Sequence, residues 1–496
     1  MNNRAETASI GGLTEETLLE EFAPCGDVLS QTILVETGGQ IRRLLLLYAE
    51  GLTDRKLFTE TVLPALDKLL ADPDLPADSW GERSPLPLSL LDGKENLQKA
   101  ADRLFSGSIL LYNGMAKLLY SLDIASLPGR QPEESSMEVS VKGARDGFVE
   151  ELSVNVALVR KRIRTSSLAV ESFVVGRRSR TKVSVLYVTD VARREMIQDV
   201  RDRLRRLEID ALLSAGHLEE LLSDNPRSFF PLTDYIGRPD HVVECLMKGR
   251  AVILLDGAPN AIIVPANLLL LLKSPEDSSL PYYYVSLERF IRLLGLFVAL
   301  FLPGFWVALT AFNMDQLPFP LLATIINSRI GLPLSAPLEA FLMIFLFEVF
   351  REAGVRLPKP VGQTIAVVGG LIVGDAAIRA GFTSPTMLVI TAFTAVANFT
   401  LVNQGLAGAV TIIRLIVLLI CSAFGMYGFF LSLFALLLYL STLSSFGMPY
   451  LSPLSPPYGK DILASAFRLP PYLSRRRASS LAGRDTVQQG DSDESK

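Results

Sequence analysis

Cysteine and histidine are scarce in this sequence, which has three cysteines and two histidines among 496 residues. Cys25, Cys245 and Cys421 are far apart, which argues against a disulfide framework and favours a reducing, cytoplasmic setting. His217 and His241 have no cysteine or acidic neighbours at ligand spacing, so we interpret both as ordinary surface or cap residues. We therefore expect no metal site and no cofactor.

Catalytic and nucleic-acid-binding signatures are also missing. The chain has no phosphate-binding glycine loop, nucleophile elbow or paired carboxylates at catalytic spacing. Its net charge is −4, and the basic runs at 160–164 and 475–477 are short. We predict that the protein is not an enzyme, name no catalytic residue, and expect no nucleic-acid partner.

The N-terminus lacks the basic-then-apolar pattern of a secretory signal, since residues 1–21 are polar and acidic. We expect residues 1–27 to form a flexible leader and the N-terminal region to lie in the cytosol. Hydropathy patterning then predicts an α/β region with two subdomains at 28–127 and 133–280. The predicted strands are Ser30–Val35, Leu44–Tyr48, Ser108–Tyr112, Ala169–Val175, Lys182–Val188, Ala251–Leu255 and Ala261–Val264.

Long apolar runs fill the C-terminal third, where charged residues are sparse. A hydrocarbon core about 30 Å thick needs about 20 apolar helical residues, so this part predicts an α-helical polytopic membrane domain at 288–446. It would have five or six segments, followed by a Pro-rich motif and cytosolic polar tail at 447–496. The segments are Phe290–Phe312 with a bend at Pro303, Ala336–Phe350 crossing or lying along the interface, Val361–Ala380, Ser384–Val402, and Ala407–Leu443 as a hairpin turning near 425–428.

Small residues repeat every four positions on one predicted membrane helix, at Ala366, Gly370 and Gly374. This spacing predicts a smooth face for close helix packing. Packing within one subunit explains the pattern, and the functional alternative is that the helix slides or lines a pore.

Ionisable and amide side chains interrupt the apolar segments. Asp375 and Arg414 need protein or water around them, and they could pair with each other. A static salt bridge and a role in an ion path are both open. The amides of Gln363, Asn398 and Asn403 could form interhelical hydrogen bonds or hydrate a permeating ion.

Two charged motifs in the soluble half are candidate interdomain or partner sites. In the first, Asp146 could cap a helix predicted from Asp146 to Arg164, with Arg145 and Glu150 beside it. In the second, Pro239 suits a first helical turn, and Arg238 and Asp240 flank it and could form a local ion pair.

Several long motifs in a fixed order resemble the GerA family of spore germination receptors, A subunit. The similarity extends from about Val28 to Pro457. The matching stretches are 142–150 with Asn155 and 160–163, 237–240, 249–250, 256–259, 351–354, 356–358, 360–364, 368–371, 376–377, 380–381, 384–385 and the closing motif 445–453. The chain departs from the usual family pattern at 142–144, at 235–238 and at Asp375, where the family often has glutamine.

The resemblance implies a subunit of a nutrient receptor in the inner membrane of a bacterial spore. Its implied partners are a permease-like B subunit, which would bind the germinant, a lipoprotein C subunit, further copies of this chain and membrane lipid. The A subunit would oligomerise into a cation channel. A non-conducting scaffold or signal-transmitting subunit is the alternative, and a secondary transporter is disfavoured because no internal repeat is found.

Overall fold

The computed structural model describes residues 14–37, 40–71, 80, 84–91, 97–126, 142–356, 374–457, 461–462, 467–470 and 481. The described residues form two compact units. The α/β unit contains those up to Ser223, together with Tyr235–Pro265. The helical unit contains Asp224–Asp234 and the described residues from Ala266 to 470. The α/β region followed by apolar helices confirms the fold class predicted from the sequence.

The first sheet of the α/β unit is five-stranded and antiparallel, with the order β1-β2-β4-β5-β3. Alternate residues of β2 enter two different apolar clusters, since Leu45 and Leu47 lie in one and Leu44 and Leu46 in the other. Both faces of the central strands are therefore buried, which explains their continuous hydrophobic runs. The bounds are α1 (Glu15–Phe22), β1 (Val28–Thr37), β2 (Gln40–Ala49), α2 (Arg55–Leu57), a π-helical turn (Phe58–Val62), α3 (Leu63–Ala71), β3 (Leu88–Leu91), α4 (Leu97–Leu104), β4 (Ser108–Asn113) and β5 (Leu118–Asp123).

The second sheet has the order β6-β7-β9-β10-β8, and its four predicted strands are found within one residue of the predicted bounds. The predicted helix Asp146–Arg164 is shorter and spans only Leu152–Arg160. The bounds are α5 (Leu152–Arg160), β6 (Leu168–Val175), β7 (Thr181–Val188), α6 (Arg194–Arg206), α7 (Ala215–Leu222), β8 (Asp234–Ile236), α8 (Pro239–Met247), β9 (Ala251–Leu255) and β10 (Ala261–Val264).

The two sheets belong to one unit because the chain before β1 pairs with β6. The Gly26 amide donates to the Val170 carbonyl at 2.8 Å, and the Val170 amide donates to the Pro24 carbonyl at 3.0 Å. A Cβ at Gly26 would lie 2.4 Å from the Val170 oxygen, so only glycine permits this approach. Ala157 of α5 completes the apolar cluster of the first sheet.

A buried ion pair lies at this junction. The Nε and Nη2 atoms of Arg160 donate to the two carboxylate oxygens of Asp27 at 2.8 and 2.6 Å. The two side chains are only 0% and 5% exposed, and the guanidinium carbon lies 4.2 Å from the ring centroid of Phe105. In the predicted helix Asp146–Arg164 this arginine falls on the face opposite the apolar residues, so periodicity alone predicts that it is exposed, which is wrong. Burial here also raises the pKa of the Cys25 thiol to about 11.

Among the described residues of the helical unit, two helical stretches are long and apolar enough to cross a membrane, Tyr282–Ala311 and Gln404–Thr442. The first runs through Pro303 without ending. The bounds are α9 (Leu268–Leu271), 3₁₀ turns at Pro275–Ser278 and Met314–Gln316, α10 (Tyr282–Ala311), α11 (Phe319–Arg329), α12 (Ala336–Arg356), a helical segment at 374–379, α13 (Pro385–Phe399), α14 (Gln404–Thr442), β11 (Ser444–Ser445) and β12 (Met448–Pro449).

The chain reverses direction inside α14, at Gly425. This residue has φ 57° and ψ −136°, a conformation open essentially to glycine. A Cβ at Gly428 would lie 2.5 Å from the carbonyl oxygen of Ile420, which a continuous helix would hold far away. The two arms run back along each other, as the predicted hairpin requires.

Gly425→Ala is expected to destabilise the helical unit by about 1–3 kcal/mol, because the new side chain would force a disfavoured backbone conformation. The added Cβ would also lie 2.8 Å from the Cβ of Phe312. Thermal unfolding of the detergent-purified full chain, followed by circular dichroism, measures the change.

Gly408→Ala is the matched control, since this glycine lies in the same helix and its Cβ would meet no described atom within 4 Å. The control should be neutral or gain up to about 1 kcal/mol. Equal melting temperatures for the two variants would show that the reversal at Gly425 is not required.

The motif at 445–453 is a buried structural element of the helical unit. Phe446 and Gly447 have φ values of 46° and 74° and turn β11 into β12. The Ser445 hydroxyl donates to the Leu232 carbonyl at 2.6 Å and accepts from the Ala266 amide at 3.1 Å. The motif therefore ties three separate stretches of this unit together.

Candidate functional site

Arg414 lies on the first arm of α14 and is a buried charge of the helical unit, with only 3% of the residue exposed. Its Nη2 atom donates to Oε1 of Glu348 on α12. The other carboxylate oxygen of Glu348 lies 2.6 Å from Nη2 of Arg351, and the Thr411 hydroxyl donates to Oε1 at 3.4 Å. One carboxylate thus contacts two guanidinium groups, and the side chain of Arg414 is 4% exposed whereas that of Arg351 is 34% exposed.

The suggested pair of Asp375 with Arg414 is wrong. Asp375 instead accepts from Nε of Arg379 at 2.8 Å, one helical turn away. These two side chains are 58% and 79% exposed on the described protein. Glu348 is not among the candidates named from the sequence, and only the packing of α12 against α14 identifies it as the partner of Arg414.

A cavity of ≈410 Å³ lies beside this ion pair. Its polar end contains Glu348, Arg351, Arg414 and Asn398. The remaining wall is apolar and includes Phe347, Leu388, Ala392 and Phe399.

The two asparagines predicted in the membrane region have different surroundings. Asn398 is 5% exposed, and its Oδ1 atom has no hydrogen-bond partner among the described residues. Asn403 is the N-cap of α14, since its Oδ1 accepts from the Leu406 amide at 2.8 Å. Its Nδ2 donates to Asp234 at 2.8 Å, so this amide is fully engaged in structure.

Of the small-residue stripe, only Gly374 lies within the described residues. Its Cβ position would be 2.9 Å from a methyl carbon of Leu388 on α13, so a helix does approach it closely. Ala366, Gly370 and the amide candidate Gln363 lie outside the described residues, and their roles stay predictions.

Glu339 is a functional candidate that sequence reasoning missed. It is 1% exposed, and its Oε1 accepts from the amide and the hydroxyl of Ser384, both at 2.5 Å, and from Thr383 at 3.0 Å. Ser384 is the N-cap of α13, so a carboxylate lies at a helix N-terminus, where the dipole favours it. A Ser-Pro step before an apolar helix was visible in the sequence, but its acidic partner was not.

In the α/β unit the first charged motif does not cap a helix. Both carboxylate oxygens of Asp146 accept from Nη2 of Arg162, at 2.7 and 2.6 Å. The amide of Leu152 instead donates to Oδ1 of Asp256 at 3.3 Å, which supplies the cap from another motif. Glu150 is exposed and its carbonyl accepts from the Gly257 amide at 2.7 Å, while Arg145 is exposed.

The second charged motif forms the local ion pair expected from the sequence. Nε and Nη2 of Arg238 donate to the two oxygens of Asp240 at 3.1 and 2.6 Å, and Pro239 begins α8. His241 is only 4% exposed, so it is a buried residue and not a surface one. The Phe148 amide donates to the Gly237 carbonyl at 2.9 Å, so the two motifs meet. Their interdomain or partner roles stay predictions.

Within the described parts of both units, no cluster of three or more histidine, cysteine or acidic side chains is placed to hold a metal ion. The arrangement offers buried ion pairs, a helix-terminus carboxylate and an apolar cavity with a polar end. These features suit a membrane protein that holds charge in an apolar surrounding.

Comparison with known proteins agrees with the motifs. A family model described as Bacillus/Clostridium GerA spore germination protein matches residues 16–480. Spore germination protein XA of Bacillus anthracis is 41% identical over 91% of this chain and 92% of its own. The uncharacterized membrane protein YfkQ of Bacillus subtilis (strain 168) is 35% identical over 82% of this chain and 79% of its own.

Among solved structures, one match is the crystal structure of the N-terminal domain of the A subunit of the Bacillus megaterium spore germinant receptor GerK3. It is 24% identical, has a TM-score of 0.39, and covers 52% of this chain and 97% of that one. The family model and the relative from Bacillus anthracis each match most of this chain. The chain therefore belongs to the GerA family of spore germination proteins.

Proposed function

We propose that this chain is the A subunit of a nutrient germinant receptor in the spore inner membrane, and that it converts germinant binding into ion release as an oligomeric channel. The observation that carries the proposal is the family match at residues 16–480, joined to an apolar helical unit that contains ionisable side chains. A permease-like B subunit and a lipoprotein C subunit are the proposed partners.

The surface of the helical unit supports an oligomer. Large apolar side chains are exposed on both arms of α14 and on α13, including Phe393 at 61%, Leu419 at 62% and Phe434 at 62%. Such a surface requires lipid or further copies of the chain around it. In such an assembly we place at the pore the carboxylate of Asp375, which is exposed and pairs with Arg379 of the same helical segment.

A non-conducting scaffold or signal-transmitting subunit is the second candidate. It is favoured by the fixed pairing of Glu348 and Glu339, since each of these carboxylates is held by several donors. Fixed ion pairs set helix register and need not take part in conduction.

Asp375→Asn separates the two candidates. If the subunit conducts, removing this carboxylate should lower the initial rate of nutrient-triggered cation release from liposomes carrying the whole receptor by about fivefold. The reason is that a carboxylate attracts a monovalent cation 4 Å away in water by about 1 kcal/mol. Release of a fluorescence-detected cation gives the rate.

Asp315→Asn is the control, because it makes the same change in an exposed carboxylate of the Met314–Gln316 turn. The scaffold candidate requires unchanged flux in both variants at equal receptor content. Wild-type receptor that assembles in liposomes but releases no cation would overturn the channel proposal itself.

A further inference from the structure

The cavity between α12, α13 and α14 has a polar end whose hydrogen-bonding capacity is not used up. Asn398 Oδ1 and Arg414 Nε are both buried, and both lack a partner in the described part of the chain. The two residues are 5% and 3% exposed. Buried polar atoms without a partner are rare and point to a bound group that completes them.

The charges at this end do not cancel. Arg414 and Arg351 both lie against the single carboxylate of Glu348, which leaves one positive charge in excess among the described residues that line the cavity. An uncompensated cation is costly in apolar surroundings, so an anion should be favoured there. Arg414 Nε can donate to it, and the Asn398 amide can turn to donate its Nδ2, because the two ends of an amide are interchangeable in shape.

The rest of the cavity suits a hydrocarbon chain. Phe347, Leu388, Ala392 and Phe399 line it, and its ≈410 Å³ lies near the lower end of the range of about 300–1,000 Å³ typical of small-ligand sites. This size fits one acyl chain better than the two chains of a phospholipid.

We propose that this cavity binds a fatty acid, with its carboxylate against Arg414 and Asn398 and its alkyl chain along α13. Asp375, the residue that the channel proposal places at a pore, does not line this cavity. Binding there does not depend on whether the subunit conducts ions.

The experiment uses the full chain in nanodiscs of neutral phosphatidylcholine and a dodecanoate analogue that carries a diazirine on its chain. After illumination, mass spectrometry maps the labelled residues. We expect saturable labelling on α12 and α13 around the cavity, and displacement by dodecanoate at least about tenfold more effective than by dodecanol, which lacks the charge.

Two variants of α13 provide the structural test. Ala392→Phe fills the cavity and should lower labelling at least tenfold, whereas Val389→Phe adds bulk at a position that is 65% exposed and should leave labelling unchanged. Asn398→Leu, which removes the amide at similar size, should weaken dodecanoate but leave dodecanol displacement unchanged.

Four outcomes would overturn the proposal. The first is labelling in Ala392→Phe equal to that of wild type, and the second is equal displacement by dodecanol and dodecanoate. The third is displacement of the label by anionic phosphatidylglycerol in the nanodisc, which would identify a phospholipid as the occupant. The fourth is the absence of specific labelling in a chain that remains folded. A change in oligomer size in Ala392→Phe without specific labelling in the wild type would identify the cavity as a contact between copies.

Discussion

Replacing Glu348 with alanine is expected to destabilise the helical unit by about 3–5 kcal/mol, because the substitution leaves the guanidinium of Arg414 buried without its carboxylate. Trp306 packs against the apolar cluster between α10, α12 and α13 and reports on this unit. In a Trp80→Phe background it is the remaining tryptophan, so denaturation of the detergent-purified chain can be followed by its fluorescence.

The double variant Glu348→Leu with Arg414→Met tests the cause. Removing both charges should recover most of the lost stability, since a buried pair contributes little net free energy over apolar residues of similar size. Glu352→Ala changes an exposed carboxylate on the same helix and should cost within about 0.5 kcal/mol. A Glu348→Ala loss as small as that of the control would show that the ion pair is not buried in the protein.

Asp27→Ala is expected to have a comparable effect on the α/β unit, again about 3–5 kcal/mol. Arg160 would keep its bond to the Thr165 carbonyl at 2.9 Å and its contact with Phe105, but it would lose both bonds to a carboxylate. Both sheets contribute to this junction, so we expect them to unfold together in one transition at lower denaturant concentration.

Trp80 reports on this unit, since it is 1% exposed and the centroid of its ring lies 5.9 Å from the ring centroid of Tyr120. A Trp306→Phe background isolates its signal. Glu50→Ala is the control, because the Glu50–Arg55 pair is largely exposed and should contribute at most about 1 kcal/mol. Two separate transitions in the wild type, with Asp27→Ala shifting neither, would contradict the shared junction.

Hydropathy patterning predicted most of the architecture because it reports how each segment is buried. Strands with both faces covered appear as continuous apolar runs, as in β4 and β9, and the apolar helices are evident from length alone. The hairpin in α14 was also predictable, since two glycines interrupt a run too long for one crossing. Strands β3 and β5 were missed because β3 has only four residues and β5 ends in polar ones.

Partner identity was not predictable from local pattern. The sequence suggested a pair of Asp375 with Arg414 because both interrupt apolar runs. The partner of Arg414 is instead Glu348, which lies 66 positions away from it in sequence. Arg160 appeared to belong to a solvated basic run, and only its contact with Asp27, 133 positions away, shows that it is buried. Such pairings depend on which helices pack together, and periodicity carries no information on that.

Several family motifs proved to be structural. Asp256 caps the helix that follows the 142–150 motif, and Asn155 uses both ends of its amide on Val149, at 2.8 and 2.6 Å. The motif at 445–453 holds the end of α14, because the Ser445 hydroxyl donates to the Leu232 carbonyl and accepts from the Ala266 amide. The contacts that these motif residues make within the described protein are structural ones.

The structure of the purified receptor in lipid tests the central claim most directly. Our account predicts several copies of this chain around an axis, with a pore along that axis and Asp375 facing it. A receptor that releases cations but contains one copy of this chain, or whose copies surround no continuous opening, would contradict the account.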